Sequence, residues 1–205
     1  MKKQGIRLTD RKAVAAYYTA KKLPRWPPPS APPTRPPRIS SGKFGIFSRA
    51  PKRSKPMDTV KIEKGNARLI AHRGASALEQ ENTCAAFLAA ANRSYFGIET
   101  DLRVTADGYF VTCHDADLKR VAGVDLVIEE AALAEIQAVP LLDKDGVSHR
   151  SDLRVPQLCD YIRICRRYEK EAVLELKSKL SPGQVASVVS AIAGLGWLDR
   201  TTFIS

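Results

Sequence analysis

Ten of the 13 prolines lie at or before Pro56, and eight of them fall between Pro24 and Pro37, where the chain reads PRWPPPSAPPTRPP. The pyrrolidine ring fixes φ and removes a backbone donor, so this stretch joins neither a helix nor a sheet ladder and reads as an extended polyproline-type linker. A single fold running through all 205 residues is thereby excluded. Charge divides the chain at nearly the same place. Residues 1–66 carry 17 Lys+Arg against 3 Asp+Glu, a net of +14, whereas residues 67–205 carry 16 against 19, a net of −3. The overall +11 would by itself suggest a binder of nucleic acid or anionic membrane, but it resides wholly in the first third.

Two regions are therefore expected: a basic, Pro-rich, disordered segment over 1–66 and a folded domain over 67–205. In the first, Asp10–Lys22 has the composition of a short basic helix, and Phe44, Ile46 and Phe47 interrupt a basic stretch. Two readings stand. It is an arm making weak contact with anionic membrane, nucleic acid being the less favoured partner. Or it is a tail irrelevant to the chemistry, with Met57 as the natural start. No apolar run reaches 18 residues, so no transmembrane helix is expected, and Ala13–Tyr18 is too short for a signal-peptide core. Cys84, Cys113, Cys159 and Cys165 form no CxxC pair, which predicts reduced thiols and a cytoplasmic location.

From Ala67 the pattern becomes alternating. Strands are expected near 69–72, 97–101, 109–113, 173–177 and 202–204, with a short one around Val155. Helices are expected over Thr83–Asn92 with Asn82 as N-cap, over Ile128–Ala138, over Pro156–Glu169 with Leu158, Ile162 and Cys165 on one face, and from Pro182 with Ser181 as N-cap. Strand–helix alternation argues for an α/β fold with a parallel sheet. In such folds the carboxyl ends of the strands share one face, and His72, Glu99, Asp101, His114 and Glu175 all fall at strand ends.

Glu99 and Asp101 are two apart on a strand and so point the same way, and Glu175 lies at matching depth. Three carboxylates without clustered thiols suit a hard cation such as Mg²⁺ or Ca²⁺. His72 and His114 offer acid and base, and Arg73 and Lys177 offer fixed positive charge for a phosphate ester. Only 12 residues separate Asp101 from His114. A covering helix would not fit, so the return around Arg103–Gly108 is expected to be extended. Cys113 should point away from His114 as a packing residue, His149 should lie on the surface, and Glu81-Asn82-Thr83 is read first as helix capping and first-turn charge, with reach to the site mouth as the alternative.

The segments AHRGAS (Ala71–Ser76), ENTCAAFLAA (Glu81–Ala90), GIETDLRVTADGYFVTCHDADLKR (Gly97–Arg120), VPQL (Val155–Leu158) and LELK (Leu174–Lys177) together resemble the glycerophosphodiester phosphodiesterase family. The resemblance implies a TIM-type (β/α)₈ barrel that here stops after about five strands. It implies one divalent cation on Glu99, Asp101 and Glu175, an acid/base pair in His72 and His114, a phosphate contact from Arg73, and from Lys177 a contact to phosphate or a substrate hydroxyl. It implies hydrolysis of small glycerophosphodiesters to an alcohol and glycerol 3-phosphate. Alternatives are a lysophospholipase D-like or phospholipase C-like activity on larger lipids, or an inactive binding module. An apparently unfinished barrel leads to the expectation that the sequence is a piece of a longer protein.

Overall fold

The computed structural model describes residues 65–205. The expected basic helix, polyproline linker and membrane-contacting arm fall on residues outside that range. The described chain runs β1 (Ile70–Ala71), α1 (Cys84–Ala91), β2 (Gly97–Val104), β3 (Phe110–Thr112), α2 (Lys119–Ala122), α3 (Leu133–Ala138), α4 (Leu158–Arg167), β4 (Glu171–Leu176), α5 (Pro182–Gly194) and β5 (Thr201–Ile204), with 3₁₀ turns at Ile128–Glu130 and Leu198–Arg200. Strands β1, β2, β4 and β5 lie side by side in that order, every pair parallel. The α/β class and five strands agree with the sequence expectation.

One strand of the five runs the other way. β3 is antiparallel to β2, with Leu102 opposite Thr112 and Val104 opposite Phe110. Only Thr105–Tyr109 joins the two, and so short a link can only reverse the chain. Residues 109–113 are thus the return arm of a hairpin, and four strands form the parallel arc. No helix covers 103–108, as the spacing requires. The expected short strand near Val155 reduces to one isolated bridge, Val111 to Gln157, beside a bond from Thr112 N–H to the Pro156 carbonyl at 2.9 Å.

Helix starts follow the capping chemistry, with two corrections. Ser181 caps α5 and Pro182 opens it, as expected. For α1, however, the cap is Thr83, whose hydroxyl accepts from Ala86 N–H at 3.2 Å. Asn82 sits one residue earlier with φ +54° and turns its side chain elsewhere. The single helix expected over Ile128–Ala138 is broken at Ala131-Ala132. There Leu133 N–H donates to Asp107 Oδ1 at 3.0 Å and Ala132 N–H to Glu135 Oε2 at 2.8 Å, which starts a new helix rather than extending the old turn.

Alternation along the strands separates two environments. Ile98 and Leu102 of β2 and Ala172 and Leu174 of β4 pack under the helices with Phe87, Ala90, Ala91, Ile162, Cys165 and Ile192. Odd-numbered residues of the same strands face the other side. Residues 116–155 close over β3 with a second apolar cluster that includes Val111, Leu118, Ile128, Ile136 and Leu153.

Tyr161 of α4 joins the helix layer to the sheet. Its ring meets Phe87 edge-on, with centroids 5.1 Å apart. Its hydroxyl accepts from Val173 N–H at 2.9 Å and donates to the Ile98 carbonyl at 2.6 Å. Glu171 N–H bonds to Phe96 and Lys177 N–H to Leu102, so Val173 and Ile98 are one rung of that same ladder. The helix is therefore bonded into the rung on which Glu99 stands. Tyr161→Phe keeps the ring and removes the bridging hydroxyl from two buried backbone groups, and should cost about 1–3 kcal/mol in denaturant unfolding.

Candidate metal and acid–base site

Glu99 and Asp101 lie within β2, not at its end as expected, because the strand runs on to Val104, while Glu175 lies near the end of β4. One oxygen from each of the three lies within 4.8 Å of the others. The pairing register produces this: Asp101 is directly opposite Glu175, and Glu99 is one pleat earlier on the same face of β2. Glu99 and Asp101 are buried and Glu175 is half-buried.

The HRG turn at the end of β1 wraps around them. Arg73 N–H donates to Glu99 Oε2 at 2.8 Å, and the His72 Nε2 lies 3.9 Å from the same oxygen on a side chain 69% exposed. Arg73 Nε stands 3.4 Å from Asp101 Oδ2. The turn is held by contact. Gly74 has φ +78°, and a Cβ there would lie 2.7 Å from the Ala86 backbone, so only glycine lets the loop touch α1. Arg73 itself has φ +56°, a left-handed backbone that costs a side-chain-bearing residue about 1–2 kcal/mol.

Lys177 closes the other side, with Nζ 2.7 Å from Glu175 Oε1 and 3.4 Å from Asp101 Oδ1. Both cationic heads expected to meet phosphate are thus turned onto carboxylates. His114 follows β3, where Cys113 N–H bonds to the Asp101 carbonyl at 3.0 Å and Arg103 clamps the His114 carbonyl at 2.7 and 3.0 Å. Its Nδ1 lies 2.7 Å from Asp115 Oδ1. The extended return therefore brings His114 to the level of Asp101. Cys113 is buried in the second apolar cluster and burial pushes its thiol up to about 12, which suits packing and not nucleophilic attack. His149 is half-exposed between Asp143 and Asp145, away from these residues.

Asn82 is the residue that the capping reading misplaced. It is 4% exposed, donates from Nδ2 to Asp101 Oδ2 at 2.8 Å, and accepts from the Thr100 hydroxyl at 2.7 Å. Glu81 likewise reaches the site, accepting from Arg73 at 2.9 Å and from both terminal nitrogens of Arg120 at 2.7 and 3.1 Å. Asn tolerates the left-handed backbone that Asn82 adopts better than most residues, and that was the available signal. Asp115 and Arg120 lay in the quoted HDADLKR segment without an assigned part.

The electrostatics are uneven. Burial raises the Glu99 carboxyl, with Asp101 and Glu175 adding to it against the Arg73 N–H and His72. The hydrogen bond from Lys177 holds Glu175 below the ordinary range, with a smaller contribution from His114. Glu99 Oε1 and Asp101 Oδ1 are buried and accept no hydrogen bond, although the Lys177 ammonium stands 3.4 Å from the second. Acceptor-only oxygens in such a position call for a cation.

The sequence model described as the glycerophosphoryl diester phosphodiesterase family matches residues 72–195, more than half of the chain. A glycerophosphodiester phosphodiesterase of Caldanaerobacter subterraneus is 30% identical over 139 residues, covering 67% of this chain and 57% of the relative. A human lysophospholipase D is 35% identical over 96 residues, covering 43% of this chain and 30% of the relative. Among solved structures, a glycerophosphodiester phosphodiesterase of Agrobacterium tumefaciens superposes with a TM-score of 0.56 at 28% identity, covering 68% of this chain and 58% of that one. An Oleispira antarctica phosphodiesterase in complex with the product sn-glycerol-3-phosphate gives 0.57 at 28% identity, covering 62% and 52%. The chain thus spans little more than half the length of the first relatives it matches.

A carboxyl with a raised value favours the fold in its protonated form. Glu99's contribution is present below about 4.5 and lost as pH rises through its raised value. A cation needs the deprotonated oxygen and reverses that loss. The gain in Tm from added Mg²⁺ or Ca²⁺ should be small near pH 4 and should grow as Glu99 ionises. The stabilisation free energy behind it approaches about 2.7 kcal/mol at a 100-fold excess over Kd. Glu99→Gln should flatten the profile in a melting series run with and without cation.

Proposed function

Because the chain belongs to the glycerophosphoryl diester phosphodiesterase family, we propose that it hydrolyses small glycerophosphodiesters to an alcohol and glycerol 3-phosphate. The observation that carries the reading is the buried carboxylate triad with two oxygens that accept no hydrogen bond, flanked by two histidines and two cationic side chains. A relative solved with sn-glycerol-3-phosphate as its product supports a small substrate.

The donor set fits a divalent cation: three carboxylates supply hard oxygens, and two of those oxygens are buried and accept no hydrogen bond. Glu99, Asp101 and Glu175 would hold it, as Mg²⁺ or Ca²⁺. Bound there, it would neutralise charge and polarise a phosphoryl oxygen. Arg73 and Lys177 now serve the carboxylates; with that charge otherwise balanced, their donors become available to the phosphate.

The neighbouring glycerol hydroxyl attacks phosphorus, the bond to the leaving alcohol oxygen breaks, and a cyclic phosphate results. One of His72 and His114 takes the hydroxyl proton and the other protonates the departing alcohol; water then opens the ring with the roles reversed. His72 is exposed enough to meet substrate, and His114 is oriented through Nδ1, leaving Nε2 for the reaction.

Lysophospholipids are the second reading, favoured by the relatives that bear the name lysophospholipase D. We assign 67–205 to the phosphodiesterase domain and 1–66 to a separate basic segment, whose +14 charge suits weak contact with anionic lipid. Among the described residues no helix is long and apolar enough to cross a membrane, and a cytoplasmic location is proposed on the cysteine usage.

Turnover of glycerophosphocholine should release glycerol 3-phosphate, stop with EDTA and return with Mg²⁺ or Ca²⁺. His72→Ala should lower kcat at least about 100-fold. Turnover that ignores EDTA, or that survives His72→Ala, would overturn the reading. A preference for lysophosphatidylcholine in the same assay would select the second.

A further inference from the structure

Around the rim of the site the charged groups form one unbroken chain of contacts. It begins at His114 Nδ1, 2.7 Å from Asp115 Oδ1. Asp115 Oδ2 accepts from Arg120 Nε at 2.6 Å. The two terminal nitrogens of Arg120 meet both oxygens of Glu81, at 2.7 and 3.1 Å, across 39 positions of sequence. Glu81 Oε1 then accepts from Arg73, whose Nε faces Asp101. Arg120 is the centre of this chain and touches neither histidine nor any of the three clustered carboxylates.

We propose that Arg120 is a positioning residue that couples the orientation of His114 to that of Arg73. The inference rests on the phosphodiesterase reading only for the consequence in turnover; the coupling itself is a property of the folded chain. An ionised carboxylate accepts hydrogen bonds and cannot donate them. With Asp115 held as a carboxylate, His114 must carry its proton on Nδ1, and in the neutral ring Nε2 presents its lone pair away from Asp115.

Arg120 is suited to keep Asp115 in that state. Burial alone would raise both the Asp115 and Glu81 carboxyls. The hydrogen bonds from Arg120, helped by His114 in the first case and Arg73 in the second, outweigh burial and hold both low. A guanidinium directs Nε–H to one carboxylate and its two terminal N–H groups to another along fixed directions. An ammonium cannot match both. Removing the fork frees Asp115 to rotate, and leaves Glu81 with Arg73 as its only remaining cationic partner among these groups.

The sequence contains three histidines, so selective ¹⁵N-histidine labelling of the 205-residue chain gives a readable spectrum. Once a pH series shows no further change in the ring signals, two-bond ¹H–¹⁵N correlations report the tautomer of the neutral rings. The wild-type chain should show His114 with the proton on Nδ1. Arg120→Met should shift at least half of the population to Nε2–H, with His149 unmoved as an internal control. Arg120→Lys should fall between them. Glu81 makes no contact with His114 but holds Arg120, so Glu81→Gln should change the His114 tautomer ratio, and not merely its shifts, if Arg120 transmits the change.

In a turnover assay Arg120→Met should lower kcat about 10- to 100-fold and raise KM through Arg73. Should Arg120→Met not fold, Asp115→Asn tests the same tautomer, because an amide can also donate to Nδ1. Wild-type His114 protonated on Nε2, or a His114 tautomer ratio indifferent to Glu81→Gln, would overturn the coupling. Absence of turnover with the tautomer shift intact would sink the functional reading and leave the coupling standing.

Discussion

Asp101 is fully buried, and a carboxylate removed from water costs several kcal/mol unless its charge is answered. Much of the surrounding structure is that answer. Asn82 adopts a left-handed backbone to donate to Oδ2, Arg73 does so with its Nε nearby, and Lys177 approaches Oδ1. Two segments far apart in sequence, the loop holding Arg73 and Asn82 and the end of β4 with Lys177, converge on one side chain. Gly74 is required because the Arg73 turn has to press against α1, and Tyr161 because the strand beneath has to stay in register.

These compensations are incomplete, and the incompleteness is informative. A structure that satisfied each carboxylate fully would have no use for an added cation. Here the side chains neutralise the cluster enough for the fold to form, while two buried oxygens accept no hydrogen bond and Glu99 remains raised by burial. Folding and ligand affinity draw on the same groups in opposite senses, as sites that trade stability for function do.

Legibility in the sequence followed the range of the interactions. The carboxylate triad was readable because period-two geometry on strands relates residues two apart, and the α/β class because apolar runs alternate with helix starts. Cys113 was readable for the same reason. What escaped depended on contacts between distant segments. Asn's tolerance of a left-handed backbone was the one local hint that Asn82 is a donor to Asp101 and not the cap, and Thr83 beside it satisfied the capping pattern equally well. Tyr161 looked like one more residue of an amphipathic helix, although its hydroxyl is what enters the sheet. Residues 109–113 have the composition of any buried strand, and direction became clear only from the short link between Val104 and Phe110.

The hairpin of β2 and β3 has a consequence for how the site assembles. Glu99, Asp101 and His114 belong to one continuous run whose far ends are brought together by a tight turn. Closing so short a loop costs little chain entropy and is fast compared with pairing strands distant in sequence. The placement of these three is thus set by local chain reversal, whereas that of Glu175 depends on pairing with a strand some sixty residues later. Glu99, Asp101 and His114 are thus carried by a motif of low contact order, while His72, Arg73, Glu175 and Lys177 come to it from the ends of β1 and β4.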